Sequence, residues 1–361
     1  MPEEKDVFIP TEEEQKDSVF IKCDGCGSNM FFNPVTQTLK CDYCGREEDF
    51  EKDKDVKERA IEKGFEDAST WSGETSTYSC SNCGAKFVVQ ADESAVKCPY
   101  CSTTHIVKTE DLAGIKPNAV YPFLLDAATA VQASKKWAKK RIFAPRKFKK
   151  NLEERNLNGI YLPCFTFDSK TQSVYNGRLG ETRTRTVRKN GKSYTQTYTV
   201  WHNVSGRFNR DFDDVTISSG NTPQSEISKL EPFNAQSLCV YEKKFLSGFS
   251  AGHYSRDIKV CWGDAKDIMD ARIRREIIAS YGYDKVDYLN VSTIHNDVTF
   301  KYVLLPVYRL NYKYKNKEYP ISVNGNTGKV TGKSPVSPLR VVIAVALGIA
   351  LFVALYLLTT A

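Results

Sequence analysis

Four Cys-x-x-Cys pairs, a strand-patterned centre and an uncharged C-terminal run together predict the fold class: two small zinc ribbons (β-rich and metal-stabilised), then an α+β domain rich in antiparallel strands, then a single C-terminal transmembrane helix. The chain has 361 residues, room for about two domains with a sizeable core. A mean hydropathy of −0.44 excludes a polytopic membrane protein. Eleven Cys against four His argue against histidine-centred hydrolytic or redox catalysis. The formal charge of +7 is mild, so only local clusters can speak for nucleic acid.

Residues 1–17 hold seven acids and two lysines and are predicted as an acidic flexible tail. They carry neither a basic nor an apolar leader region, so no secretory signal is expected.

The cysteine pairs are Cys23/Cys26, Cys41/Cys44, Cys80/Cys83 and Cys98/Cys101. Fourteen residues separate the first pair from the second, and fourteen separate the third from the fourth; a shift of 57 maps one set onto the other. That is an internal duplication. Two cysteines three apart place both sulfurs on one side of a tight knuckle, and a second knuckle completes a tetrahedron around one ion. Gly27, Gly45 and Gly84 follow their pairs directly, where the chain must turn; Ser102 takes that place at the fourth knuckle. Strand-like residues fill the loops, Met30-Phe31-Phe32 and Lys86-Phe87-Val88-Val89. The prediction is zinc ribbon 1 over residues 18–50 and zinc ribbon 2 over residues 76–110, with two structural Zn2+ ions. Disulfides are disfavoured by the cytosolic side assigned below, and a redox dithiol or an iron–sulfur cluster by the duplicated ribbon spacing. A four-cysteine site has no open position, so catalysis at the metal is not expected. Cys164, Cys239 and Cys261 stand singly in apolar surroundings and read as buried small hydrophobes.

Between the ribbons, residues 51–75 mix acids and bases, and Val56, Ala60, Ile61 and Phe65 fall at helical spacing; a charged helical linker is predicted. Lys116-Pro117-Asn118 and Tyr121-Pro122 mark the next boundary. Residues 118–156 read as a basic helical segment, capped by Asp126 and helical to about Arg141. Its residues 135–150 contain nine Lys or Arg, no acid, and the aromatics Trp137, Phe143 and Phe148. Such a run suits anionic lipid, an acidic protein partner or nucleic-acid phosphate, or is a solvated face with inward aromatics.

Residues 157–334 form the predicted α+β domain. Thr182, Thr184 and Thr186 alternate with Arg183 and Arg185, and Asn190-Gly191 signals a hairpin before Tyr194, Tyr198, Val200 and Trp201. The Arg/Thr face is either an ordinary solvated strand face or an anion site. A helix is expected from Asp264 to Tyr281, and strands over Tyr302–Tyr308 and Tyr319–Val323.

Val341 through Leu358 carries no charge, and the uncharged stretch continues to Ala361. At about 1.5 Å per residue it spans roughly 30 Å, the thickness of a bilayer core. Residues 339–361 are therefore predicted as a transmembrane anchor in the lipid bilayer. Lys329, Lys333 and Arg340 precede it, which places the N-terminal bulk on the cytoplasmic side of the cell membrane.

No P-loop, nucleophile elbow, zinc-protease helix or dinucleotide fingerprint occurs; Gly332-Lys333-Ser334 lacks the first P-loop glycine, its place being Thr327. His105, His202, His253 and His295 are scattered. No enzyme activity is expected.

Several segments carry a resemblance: Tyr161-Leu162-Pro163-Cys164-Phe165-Thr166-Phe167-Asp168, Val204-Ser205-Gly206, Phe212-Asp213-Asp214-Val215, Leu246-Ser247-Gly248-Phe249 and Val323-Asn324-Gly325-Asn326-Thr327-Gly328-Lys329-Val330. With two ribbons ahead and an anchor behind, the chain resembles a bacterial family of membrane-anchored tandem zinc-ribbon proteins, often labelled TFIIB-type zinc ribbon or primosomal-helicase-like. The family often has Trp where this chain has Phe165. With no P-loop, helicase activity is not expected. Relatives found beside SPFH and phage-shock-A-type membrane-stress proteins imply a membrane docking platform for a partner of that type. The expectation is a membrane-tethered adaptor or scaffold; the alternative is a nucleic-acid-binding membrane protein using the ribbons and residues 135–150.

Overall fold

A computed structural model describes residues 21–66, 77–88, 98–101, 103, 106–109, 115–150, 152, 157–189, 191–315 and 317–360. The acidic tail, the later part of the expected linker, the 89–97 loop, Ser102, His105 and Asn190 lie outside the described residues.

In chain order, β1 (Met30–Asn33), β2 (Thr38–Cys41) and β3 (Glu47–Glu48) make a three-stranded sheet. Next come β4 (Arg59–Ala60), α1 (Ile61–Glu66), β5 (Thr77–Cys80), β6 (Lys86–Val88), β7 (Ile106–Thr109) and β8 (Ala119–Val120). Helices α2 (Ala127–Lys139) and α3 (Arg146–Lys150) lead into β9 (Leu157–Lys189) and β10 (Lys192–Ser218). Then follow α4 (Gln224–Leu230), β11 (Cys239–Val240), β12 (Ser250–Gly252), α5 (Ile258–Tyr281), β13 (Lys285–Tyr314), β14 (Lys317–Asn324), β15 (Val330–Gly332) and α6 (Pro338–Thr360).

β9, β10 and β13 run for 33, 27 and 30 residues, against a usual strand of about 5–6. All three are antiparallel, with β9 in the middle. The burial of β9 shows what holds so long a strand. From Ile160 to Phe167 every residue is buried, because the sheet is covered on both faces. From Ser169 to Leu179 burial mostly alternates, because α5 covers one face with Met269, Ile273 and Ile277. Beyond Gly180, where β13 stops pairing, β9 and β10 continue alone as an exposed two-stranded hairpin.

The sheet also crosses the boundary expected at residue 157. β4 and β8 pair with β13, and β12 joins β9 to β6, so the second ribbon is sewn into the large mixed sheet. Two pairings, β12 with β9 and β13 with β8, are parallel. The first ribbon docks differently. Phe32 packs its ring against Phe50 and Phe245, and its N–H donates to Ser247 O at 2.9 Å.

Two expectations are corrected. Among the described residues of the expected linker only α1 is helical; residues 51–58 have no helix and Arg59–Ala60 is strand. The cause is lateral competition for the chain. Asp53 O accepts from Val240 N–H, Lys57 O accepts from Asn118 Nδ2, and Glu58 is taken by Lys301, so the segment lies extended on the domain. The helix expected from Asp264 begins at Ile258. Asp257 caps it by accepting from Lys259 N–H at 2.7 Å, and Gly263 had masked the apolar stripe Ile258, Cys261, Ala265, Met269.

Asp126 caps α2, accepting from Thr129 N–H at 2.8 Å. The aromatics of the basic segment divide: Phe148 is buried, Trp137 half-buried and Phe143 exposed. The hairpin at the tip turns through Gly191, whose φ of 73° suits glycine. Cys164, Cys239 and Cys261 are buried. α6 is long and apolar enough to cross a membrane, with a mean hydropathy of 3.0 and none of it buried.

Candidate metal centres

Three of the four knuckles share one turn hydrogen bond among the described residues. Gly27 N–H donates to Cys23 O, Gly45 N–H to Cys41 O and Gly84 N–H to Cys80 O, all at 2.8–2.9 Å. These glycines have φ of 74°, 75° and 69°, which side-chain-bearing residues rarely adopt. The first cysteine of each pair donates its own N–H across the turn: Cys23 to Ser28 O, Cys41 to Arg46 O, Cys80 to Ala85 O and Cys98 to Thr103 O.

The structure brings the eight cysteines into two groups of four. In the first, Cys23, Cys26, Cys41 and Cys44 have sulfurs within 4.8 Å of one another; in the second, so do Cys80, Cys83, Cys98 and Cys101. Cys23 Sγ lies 3.6 Å from Cys44 Sγ, and Cys26 Sγ 3.5 Å from Cys41 Sγ. Cys80 Sγ lies 3.6 Å from Cys101 Sγ, and Cys83 Sγ 3.7 Å from Cys98 Sγ. A disulfide needs about 2.05 Å. Sulfurs held about 2.3 Å from one ion at tetrahedral angles stand about 3.8 Å apart. The donor sets thus fit two structural metal ions.

The sulfur environments also call for a cation. A Ser28 backbone hydrogen bond draws the Cys26 thiol down to about 6, while burial pushes Cys83 up to about 11 and Cys98 higher still. Four thiolates this close repel, so full ionisation needs a positive charge among them.

The three described histidines stay apart: His202 on β10 stacks on Tyr283, His253 just after β12 stacks on Tyr254, and His295 on β13 meets Trp262 edge-on.

A second charged constellation has no counterpart in the motif reading. Lys301, on the fully buried stretch of β13, is only 7% exposed and points among three carboxylates. Its Nζ lies 2.8 Å from Glu58 Oε1, 2.8 Å from Asp214 Oδ1 and 3.6 Å from Asp168 Oδ2. Thr299 Oγ1 donates to Glu58 Oε2 at 2.6 Å, and Asp214 N–H donates to Asp168 Oδ1 at 2.6 Å. Two β-bulges make the room: β10 slips between Phe212 and Val215, and β13 between Asn296 and Thr299, both beside Asp168–Ser169 of β9. Burial pushes the Asp168 carboxyl up to about 7, and its hydrogen bond to Glu58 holds Glu58 down to about 2. Against the cost of burial, the Asp214 and Glu58 carboxylates keep the Lys301 ammonium charged. Carboxylates of Glu58, Asp168 and Asp213 lie within 4.8 Å of one another, and Lys301 already supplies a cation to Glu58 and Asp168. The signal in the sequence was a lone lysine inside the apolar run Phe300–Leu305, facing the quoted Asp168 and Asp213-Asp214.

A protein of Bacillus subtilis (strain 168), "Uncharacterized protein YdjG", is 30% identical over 319 residues, covering 88% of this chain and 90% of its own length. No family model matches the chain. No solved structure matches it.

Proposed function

This chain belongs to the family of Bacillus subtilis YdjG, and from that premise we propose that it is a membrane-tethered, zinc-stabilised adaptor without enzymatic activity. The observation that carries the reading is the pairing of two closed four-cysteine groups with an apolar C-terminal helix that none of the described residues buries. All-thiolate tetrahedral donors favour zinc, and a complete shell leaves no position for substrate. The metal then supplies folding free energy to modules too small to have a large core.

α6 spans the bilayer, and the ribbons and long strands stand on the cytoplasmic side. Tethering raises the effective concentration toward any partner held at the same membrane. By family resemblance, an SPFH or phage-shock-type membrane-stress protein is such a partner.

The test is purification of the full chain from membranes, followed by elemental analysis and proximity labelling in cells. Two zinc ions per chain, membrane fractionation lost on deleting residues 338–361, and labelling of membrane-associated proteins are expected. Iron–sulfur absorption, or a full chain that stays soluble, would overturn the proposal.

Nucleic-acid binding is the second reading. The free hairpin favours it: Arg183, Arg185 and Arg188 stand exposed with Tyr194 and Tyr198, and the Arg185 guanidinium lies over the Tyr198 ring. Tight duplex binding with a steep salt dependence, lost on neutralising these arginines or Lys135, Lys136, Lys139 and Lys140, would replace the adaptor reading.

A further inference from the structure

The turn between α2 and α3 combines three features. First, it is pinned from both sides. Ala138, Ala144 and Phe148 are buried in one cluster with Leu152, Leu310 and Ile321. Within the turn, Lys140 N–H donates to Trp137 O, Arg141 N–H to Ala138 O, and Ala144 N–H to Arg141 O. Ile142 and Phe143 therefore cannot fold back into the core, and they stand 75% and 42% exposed.

Second, this turn holds the base of α6. Phe143 O accepts from Ser337 N–H at 2.9 Å, and Ile142 O accepts from Arg340 Nη1 at 2.9 Å. Val336 and Leu339, beside those two donors, are also exposed. The unsatisfied apolar surface of the turn is thus continuous with the apolar surface of the helix.

Third, the surroundings are cationic. Lys135, Lys136, Lys139, Lys140, Arg141, Arg146 and Lys147 are exposed, and residues 135–150 contain no acid. The Arg141 guanidinium lies over the Trp137 ring at 4.5 Å, a basic–aromatic pair suited to a water–lipid boundary.

We propose that residues 139–147 form a membrane foot: Ile142 and Phe143 insert at the headgroup level of an anionic leaflet, and the surrounding lysines and arginines bind its headgroups. The proposal rests on the reading of α6 as a membrane span. It commits to lipid because a bilayer offers a hydrocarbon boundary and negative charge at one depth, beside the helix that crosses it. Nucleic-acid phosphate would meet the charge but leave Ile142 and Phe143 in water. The foot fixes the body against the bilayer at a second point and so limits its swing about α6.

The test uses the full chain in vesicles of phosphatidylcholine, alone or mixed with phosphatidylglycerol, with and without brominated acyl chains. Phe143→Trp places a probe in the turn, read as the difference from the unsubstituted chain; Ile142→Trp is the second probe should the first variant fold poorly. Flotation of the vesicles reads anchoring separately. Expected are co-flotation in both lipids, a blue shift with quenching by brominated lipid that strengthens with phosphatidylglycerol, and loss of that strengthening at about 0.5 M salt, where screening is short-ranged. The triple change Lys139→Gln, Lys140→Gln, Arg141→Gln should abolish the dependence on lipid charge without preventing flotation. Co-flotation with a probe that stays water-exposed in both lipids overturns the foot and leaves the anchor standing. A chain that fails to float overturns both. A shift that appears only when duplex DNA is added overturns the foot in favour of nucleic acid.

Discussion

Lys301 Nζ stands 2.8 Å from Glu58 Oε1, a contact that ties the segment between the two ribbons to the centre of β13. A sequence separation of 243 places it among the longest-range side-chain links in the described fold. It holds the chain from the first ribbon against the bulged part of the sheet, where β9, β10 and β13 meet.

Breaking this contact is expected to be costly. Lys301→Ala leaves the carboxylates of Glu58, Asp168 and Asp214 facing each other without a cation. A loss of about 3–5 kcal/mol is expected, as for other buried pairs that lose one partner. Lys301→Met, which fills the volume, should lose less. Denaturant unfolding in detergent with metal held constant reads the difference. Hydrogen exchange should rise first across residues 57–60.

The same cluster predicts a pH dependence. The native Asp168 pKa is raised above its unfolded value by burial and by Glu58. Its stabilising contribution is therefore complete below the ordinary carboxylate pKa and is lost as pH rises through about 7. Glu58 has the opposite sign: its pKa is held down to about 2, so its contribution is lost only as pH falls toward that value. Asp168→Asn should remove the first effect. The stability difference between this variant and the parent should grow by on the order of 1–3 kcal/mol between pH 5 and pH 8, in favour of the variant. Thermal unfolding across that range checks it, and a difference that stays flat would sink the assignment.

Metal content should respond site by site. Cys41→Ser and Cys98→Ser should each reduce bound metal by one ion per chain, because the two sulfur groups share no residue. Their structural consequences should differ. Loss of the first centre frees Phe32 and Phe50 from Phe245. Loss of the second disturbs β6, which pairs with β12, and so reaches the main sheet. Proteolysis should release the first ribbon cleanly, whereas damage to the second should also raise hydrogen exchange at Ser250–Gly252.

The hairpin tip should be dispensable for folding. Residues 183–188 and 193–198 are exposed throughout, and their strand pairing is with each other. Replacing residues 183–198 by a short turn should change stability by less than about 1 kcal/mol. Metal content should be unchanged. Any function lost with them would belong to binding at the tip, which pull-down with and without the tip would read.

How far these features were legible varied with their physical range. Knuckles are local: cysteine pairs with a following glycine specify their own turns, and the duplication tells which pairs belong together. α6 was legible for the same reason, as a property of one continuous run. The Asn190-Gly191 hairpin signal located the junction of β9 and β10, but not their length. That length depends on what covers each face, and the cover comes from α5 and from strands far away in sequence. The segment at Val56–Phe65 misled because its apolar spacing also fits a chain lying on a surface. Partners such as Val240, Asn118 and Lys301 decided the matter, and none is near in sequence. The Lys301 cluster was hidden in the same way, since its charges come from four separate stretches of chain.

The uninterrupted run of β9 has a mechanical consequence. Leu157 begins it next to Leu310, in the cluster that also pins the turn between α2 and α3, and Lys189 ends it at the exposed tip. At about 3.3 Å per residue a strand of 33 residues measures on the order of 100 Å. It acts as a yardstick: whatever is met at Gly191 is met at a fixed remove, a full strand's length from the contact of Leu157 with Leu310.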